Sequence, residues 1–166
     1  FGTGDTVADY KDTKLRSAFK DDWCHTWPIS TSNIIALGGP LTNLPAYYLN
    51  DFSAAIYGIS QFTPYGPWSG AVAAISCWSK NAYYSSEASG YAVISTYKDI
   101  NGTVIFEIWG VWGRDTYYAC KFFHEEIIHE LQEFPRCATS IILKINYTDP
   151  IHPTFTVPEV LGTISE

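Results

Sequence analysis

Residues 90–145, GYAVISTYKDINGTVIFEIWGVWGRDTYYACKFFHEEIIHELQEFPRCATSIILKI, decide the fold of this chain. Two runs in its first half are rich in β-branched and aromatic residues and predict β-strands, at 90–97 and 103–109. The short segment between them has the residues of a hairpin turn, namely Asp99, Asn101 and Gly102. The sequence therefore predicts two strands joined as a hairpin.

The second half of this stretch predicts the longest helix of the chain. It begins at Gly113 and runs to Phe134, where Pro135 ends it. Apolar residues recur at spacings of three and four and predict one buried helix face: Cys120, Phe123, Ile127, Leu131 and Phe134. Residues 139–145 predict another strand. We expect it to be a parallel neighbour of the strand before the helix, because strand–helix–strand connections form right-handed crossovers.

The region before this stretch predicts shorter elements. Residues 5–22 predict an amphipathic helix or two short ones. The apolar run 32–37 ends in Gly38-Gly39-Pro40, which predicts a buried strand closed by a tight turn. A short helix follows, capped by Thr42 or Asn43, with inward-facing side chains expected at Leu44, Tyr47, Tyr48 and Phe52.

These elements predict an α/β or α+β fold. We expect a small mixed sheet of about four strands, a long packed helix, and a GGP turn after the first strand. Residues 1–149 are interpreted as a single globular domain. Residues 150–166 are interpreted as an extended C-terminal arm, because three prolines interrupt them: Pro150, Pro153 and Pro158.

Composition excludes several classes of protein. The 166 residues contain 16% charged side chains, against about 25% in an average soluble protein. The net charge of −7 argues against a nucleic-acid partner, which requires a basic face. No run reaches the roughly 18 apolar residues of a transmembrane helix. The chain begins with Phe1 and contains no Met, so we expect it to be a processed or excised product.

The cysteines and two sequons indicate export. Four cysteines are present: Cys24, Cys77, Cys120 and Cys137. They could be four buried thiols, but the interpretation we favour is that they form one or two disulfides. A continuous helix would place Cys120 about 25 Å from Cys137, which excludes that pair. The remaining alternatives are 24–120 with 77–137, 24–137 with 77–120, or a single bridge. The sequons offer Asn101 and Asn146 as candidate acceptors of an N-linked glycan.

Residues 52–79 predict a contact surface. They contain no Asp, Glu, Lys or Arg, and prolines and glycines make them irregular. A surface segment that is aromatic and uncharged resembles the centre of a protein interface. Together with the C-terminal arm, this segment supplies the candidate subunit-interface residues: Phe62, Tyr65, Trp68, Trp78, Phe155 and Val157.

No pattern of catalytic or metal-binding residues is convincing. The GGP turn lacks the lysine and spacing of a phosphate loop. His124 and His129 are five residues apart, so they face different sides of a helix and cannot share a zinc ion. We therefore expect neither an enzyme nor a resident cofactor or metal. A weaker alternative is Ca²⁺ bound near the N-terminus by Asp5, Asp9, Asp12, Asp21 and Asp22.

Three segments resemble archaeal surface-layer (S-layer) proteins. They are 32–43, SNIIALGGPLTN; 90–103 with its continuation through 109–119; and 158–166, PEVLGTISE, together roughly a third to a half of the chain. S-layer proteins form two-dimensional lattices or related coats, and they are secreted and often glycosylated. The resemblance implies a structural function without catalytic residues. Because S-layer proteins are usually far larger, it implies one domain, a fragment or a small relative.

Composition and resemblance lead to the same hypothesis. We expect a structural, self-assembling extracellular subunit at the cell surface, in an S-layer-like coat or a filament, whose partners are copies of itself. The arm could add as a strand to a neighbour's sheet. The alternative is a secreted carbohydrate-binding module, with a coplanar Trp and Tyr strip, or a small secreted hydrolase, with converging acids and bases in a pocket.

Overall fold

A computed structural model describes residues 33–40, 43–59, 72–98 and 102–162 of the chain. The predicted helices in 5–22 therefore lie outside the described residues. The described residues form a mixed α/β fold with two sheets and one long helix, as the sequence predicts in class. The elements, in chain order, are β1 (Ile34–Leu37), α1 (Leu44–Asn50), β2 (Ala55–Ile59), β3 (Val72–Ser76), β4 (Ala82–Tyr84), β5 (Ser89–Lys98), β6 (Val104–Gly110), α2 (Gly113–Glu125), the 3₁₀ turns Ile127–His129 and Leu131–Glu133, β7 (Ala138–Asn146) and β8 (Thr154–Gly162).

The larger sheet has five strands in the order β1-β6-β5-β7-β8. Strands β5 and β6 form the predicted antiparallel hairpin, with Ile94 opposite Ile108. Strand β1 pairs with β6 in parallel, and the remaining neighbours are antiparallel. The predicted turn after β1 is present, and Gly38 adopts a φ of 107°, a left-handed conformation that favours glycine.

The predicted position of β7 is wrong in one respect. Strand β7 runs parallel to β6, but it pairs with β5 in antiparallel fashion, so β5 lies between them. The reason is the burial of β5, in which the four consecutive residues 92–95 are buried and both faces are covered. A strand of this kind is stabilised as the centre of a sheet, with partners on both edges.

The long helix is shorter than predicted. Helix α2 ends at Glu125, and Glu126 leaves the helical region at φ −129° and ψ −62°. This change of direction buries Ile127, which is 1% exposed, against the sheet. The following 3₁₀ turns leave Leu131 at the surface. The buried face of α2 is therefore centred on Ala119 and Phe122, with Cys120 and Phe123 at its margin.

Helix α1 has the predicted cap but a different inner face. The Asn43 carboxamide oxygen accepts from the Ala46 amide, and its nitrogen donates to the Leu37 carbonyl at 3.0 Å. Ala46 and Leu49 are buried. Tyr47 and Phe52, expected to face inward, are more than half exposed, because a helix of seven residues has one narrow face toward the sheet.

The smaller sheet, in the order β2-β3-β4, was not expected from the sequence. Strands β2 and β3 lie within the segment 52–79, for which an irregular conformation is predicted. The small side chains of Ala55 and Ala74 pack against Val93, Trp109 and Ile142 on the large sheet. Helix α2 covers the opposite face of the large sheet, so the protein has two apolar clusters, one on each side.

The C-terminal segment differs from the predicted arm. Thr154–Gly162 forms β8, which pairs with β7 of the same chain along most of its length. The ring centroid of Phe155 lies 4.7 Å from that of Phe122 of helix α2, with the rings tilted by 38°, and Val157 packs against the same cluster. These two side chains, predicted to contact a neighbouring subunit, are used by the chain's own core because α2 offers them an apolar surface.

A buried carboxylate fixes the beginning of α2. Asp115 is fully buried and accepts hydrogen bonds from the Tyr147 hydroxyl at 2.7 Å, the Ser85 hydroxyl at 2.6 Å and the Trp112 amide at 3.0 Å. The carboxylate lies so close to β5 that a Cβ atom on Gly90 would be 2.0 Å from its Oδ1 atom. The helix can start at this point only because glycine occupies the facing strand.

Candidate functional site

Among the described strands, β1 forms one outer edge of the large sheet, and it exposes apolar side chains. Ile35 is 58% exposed and Leu37 is 54% exposed. They lie beside Phe106 and Ile108 in the register of the parallel pair, which places them on the face that carries α2. Residues 33–40 contain no charged side chain. Edge strands are normally protected by charge, proline or a bulge, and β1 has none of these between 34 and 37.

Strand β8 forms the opposite edge and is partly protected. Pro158 lies in its middle, and the pairing of β8 with β7 is irregular between Ile142 and Lys144. Glu159 ties this strand to the smaller sheet by accepting from the hydroxyls of Ser79 and Tyr83. Before Pro158, the three residues 154–156 pair with β7 in regular register. The two edges of the sheet therefore differ: β1 has no protecting feature between 34 and 37, whereas β8 has Pro158 and the hydrogen bonds of Glu159.

The face opposite α2 contains a groove of about 720 Å³ between the large sheet, α1 and the turn after β3. Its floor is a polar row across three adjacent strands. Glu107 of β6 is opposite Ser95 of β5, which is opposite Ser140 of β7. All three side chains are buried, and the Ser95 hydroxyl donates to Glu107 Oε1 at 2.6 Å.

Glu107 is the one acid among the described residues that line the groove, and its pKa is shifted. Its side chain is 2% exposed, and its Oε2 atom has no hydrogen-bond partner. Burial raises the pKa of Glu107 from 4.5 to about 7, although the Ser95 and Trp109 side chains lower the pKa. The carboxyl group therefore titrates near neutral pH.

Aromatic rings form the rim of the groove. Phe52 stacks on Tyr97 with ring centroids 5.6 Å apart, and Trp78, at the turn after β3, is 52% exposed. Trp78 is one of the interface residues that the sequence predicts. The other three from the same segment, Phe62, Tyr65 and Trp68, lie outside the described residues.

The cysteines do not form the predicted bridges. Cys77, Cys120 and Cys137 are free thiols. Both two-bridge schemes are therefore wrong, since each pairs Cys77 with another of these residues. Cys77 donates its thiol toward the Ser53 carbonyl beside the small sheet, Cys120 lies at the margin of the α2 cluster, and Cys137 is exposed before β7. Cys24 lies outside the described residues.

The sequon at Asn146 lies among the described residues. Asn146 is exposed at the end of β7, and its side-chain oxygen accepts from the Thr148 amide at 2.9 Å and from the Thr148 hydroxyl. Its carboxamide nitrogen, the atom that a glycan would be attached to, is therefore directed away from these contacts. Asn101 and the candidate calcium ligands lie outside the described residues.

Sequence reasoning missed Glu107. The signal was present, because Glu107 is the single charged residue in the apolar run 103–109. Alternation along this run puts Glu107 on the same face as Ile105 and Trp109, both of which are buried. A lone acid on the buried face of a strand is the kind of residue whose pKa is shifted by burial.

Similarity to known proteins places no further restriction on the function. No family model, no curated protein and no solved structure matches the chain. Among the described residues, no cluster of three or more His, Cys, Asp or Glu side chains could hold a metal ion. No helix in the described part of the chain is long and apolar enough to cross a membrane.

Proposed function

We propose that this chain is a structural, self-assembling subunit of an extracellular cell-surface coat or filament, similar in kind to an S-layer. The observation that carries the proposal is the edge of β1, which no described strand covers and on which Ile35 and Leu37 are exposed on the same face. An apolar strand edge without charge is a template for pairing with another chain. A monomeric protein would be expected to protect this edge.

The partner of β1 in this proposal is the outer edge of β8 in a second copy. Following the pairing across the sheet, β1 and β8 run in opposite directions. Two copies in the same orientation, placed side by side, would therefore join β1 to β8 as an antiparallel pair. The regular run before Pro158, 154–156, has three residues, one fewer than β1. A contact between two different surfaces produces filaments or lattices when its rotation does not close into a ring.

An extracellular location belongs to the same proposal. The sequon residue Asn146 is the last residue of β7, and its side chain is exposed and accessible to a glycosylating enzyme. A hydrolase is less well supported, because glycoside hydrolysis uses two carboxyl groups and Glu107 is the only acid among the described residues that line the groove.

Charge on the β1 edge tests the proposal. We expect the double variant Ile35→Lys, Leu37→Lys to raise the concentration needed for assembly at least tenfold, because charged edge residues oppose strand addition. Sedimentation velocity over a concentration series measures this change. Both side chains are more than half exposed, so the melting temperature should change little.

The control for this experiment is Ile151→Lys, since Ile151 is 78% exposed but lies in the turn between β7 and β8. It should assemble like the unmodified protein. If the β1 variant and the unmodified protein assemble at the same concentration, the β1 edge is not the contact and the proposal fails.

A further inference from the structure

The groove over Glu107 contains a buried acid for which the described residues provide no counter-charge. Oε1 is satisfied by the Ser95 hydroxyl, and Oε2 has no partner. A buried carboxylate is costly unless a cation or further hydrogen bonds compensate it. The Ser95 and Trp109 side chains, which both lower the pKa of Glu107, are uncharged, so they supply no counter-charge to a carboxylate with about four acceptor positions.

The charged groups that the structure describes near the groove do not supply this cation. Lys98 is the one basic residue among the described lining residues, but alternation from Ser95 places its side chain on the face of α2. Lys80, in the turn beside Trp78, donates to the Cys77 carbonyl at 2.7 Å. Tyr97 is the other titratable side chain of the lining, and the described segment of α1, 44–50, contains no charged residue.

The walls of the groove suit the organic part of a cation. Phe52, Tyr97 and Trp78 line its rim, and Leu49 and Ile105 add aliphatic surface. Aromatic faces attract ammonium groups and also bury short hydrocarbon chains. The volume of about 720 Å³ is within the range of small-molecule sites, which is roughly 300–1,000 Å³.

We propose that this groove is a binding site for a small primary amine, whose ammonium group pairs with Glu107 Oε2 and whose hydrocarbon chain lies against Phe52 and Trp78. The Oε2 atom is not in contact with bulk water, so entry requires the half-exposed rings of the rim to swing outward. Ser95 then orients the carboxylate by holding Oε1. This site is independent of subunit assembly through β1.

The test is a titration of the unmodified protein with n-butylammonium chloride, followed by NMR chemical shifts and calorimetry at pH 8. We expect saturable binding with shifts at residues 95, 107 and 140. The neutral analogue 1-butanol should bind at least tenfold more weakly, because it lacks the charge. Binding at pH 6 should be about tenfold weaker than at pH 8, since a carboxyl group with a pKa of about 7 is largely protonated there.

Two variants distinguish binding at Glu107 from non-specific binding of the amine to other carboxylates. Glu107→Gln keeps the shape of the side chain and should weaken binding at least tenfold. Glu125→Gln, on the exposed surface of α2 beside Lys121, should bind like the unmodified protein. Equal binding by Glu107→Gln, equal binding of 1-butanol, or shifts confined to other residues would overturn the proposal.

Discussion

Replacing Glu107 with Gln is expected to stabilise the protein by about 3 kcal/mol above pH 8, because the buried carboxyl group must otherwise ionise without a counter-charge. Its pKa is about 7 in the folded protein, against 4.5 for the exposed group. The folded state therefore retains a proton that the unfolded state loses between these values. In the unmodified protein, the contribution of Glu107 to the free energy of unfolding should be most favourable below pH 4.5. It should decrease as the pH rises from 4.5 through 7.

Urea denaturation at a series of pH values from 4 to 9 measures this effect. The glutamine side chain does not ionise, so the difference between variant and unmodified protein should be small at pH 4 and should grow until about pH 8. Glu125→Gln serves as the control, because its exposed ion pair with Lys121 at 4.0 Å is expected to contribute less than about 1 kcal/mol. A difference that does not depend on pH would show that Glu107 is not a buried, ionising group.

The second large effect is expected from Gly110→Ala, which should destabilise the protein by about 3 kcal/mol or more. A Cβ atom at this position would lie 2.4 Å from the Thr116 backbone nitrogen and 2.5 Å from the Asp115 Cβ atom. The neighbouring atoms belong largely to the backbone of α2, so they cannot move aside as a flexible side chain could. The amide of Gly110 also donates to the Thr116 hydroxyl at 2.8 Å, and a displaced helix would weaken this bond.

Gly113→Ala is the matched control, three residues away. No atom lies within 4 Å of its added Cβ, and the residue begins α2. The substitution should be neutral or should stabilise the protein by about 0.5 kcal/mol, because alanine restricts the unfolded chain. Thermal and urea denaturation of the two variants provide the comparison. Equal stability of the two would mean that α2 does not pack on β6 as described.

The part of the fold that could be predicted depends on local patterns. The hairpin of β5 and β6 follows from β-branched runs and a turn sequence, and the cap of α1 follows from Asn43. The choice of partner for β7 could not be predicted, because it depends on which strand lies at the centre of the sheet. In this fold that strand is β5, whose two faces are both covered. The small sheet was missed since alanines and glycines in β2 and β3 give a weak strand signal, although they fit closely against Trp109 and Val93.

The candidate site was predicted less completely than the fold. Trp78 was identified from composition alone, because an uncharged aromatic segment is unusual at a surface. Glu107 was not, because its meaning depends on Ser95 and Ser140, which are distant in sequence and adjacent only in the sheet. The apolar run of β1 was interpreted as a buried strand, whereas its position at the edge of the sheet leaves Ile35 and Leu37 exposed.

Electron microscopy of the purified protein, over a range of concentrations, tests self-assembly most directly. Joining β1 to β8 continues a five-stranded sheet from copy to copy. Filaments or sheets should therefore show a repeat of about 24 Å along the direction of strand pairing, since neighbouring strands are roughly 4.8 Å apart. Ordered assemblies with this repeat are the expected result. A protein that stays monomeric and monodisperse at every concentration would contradict the proposed function.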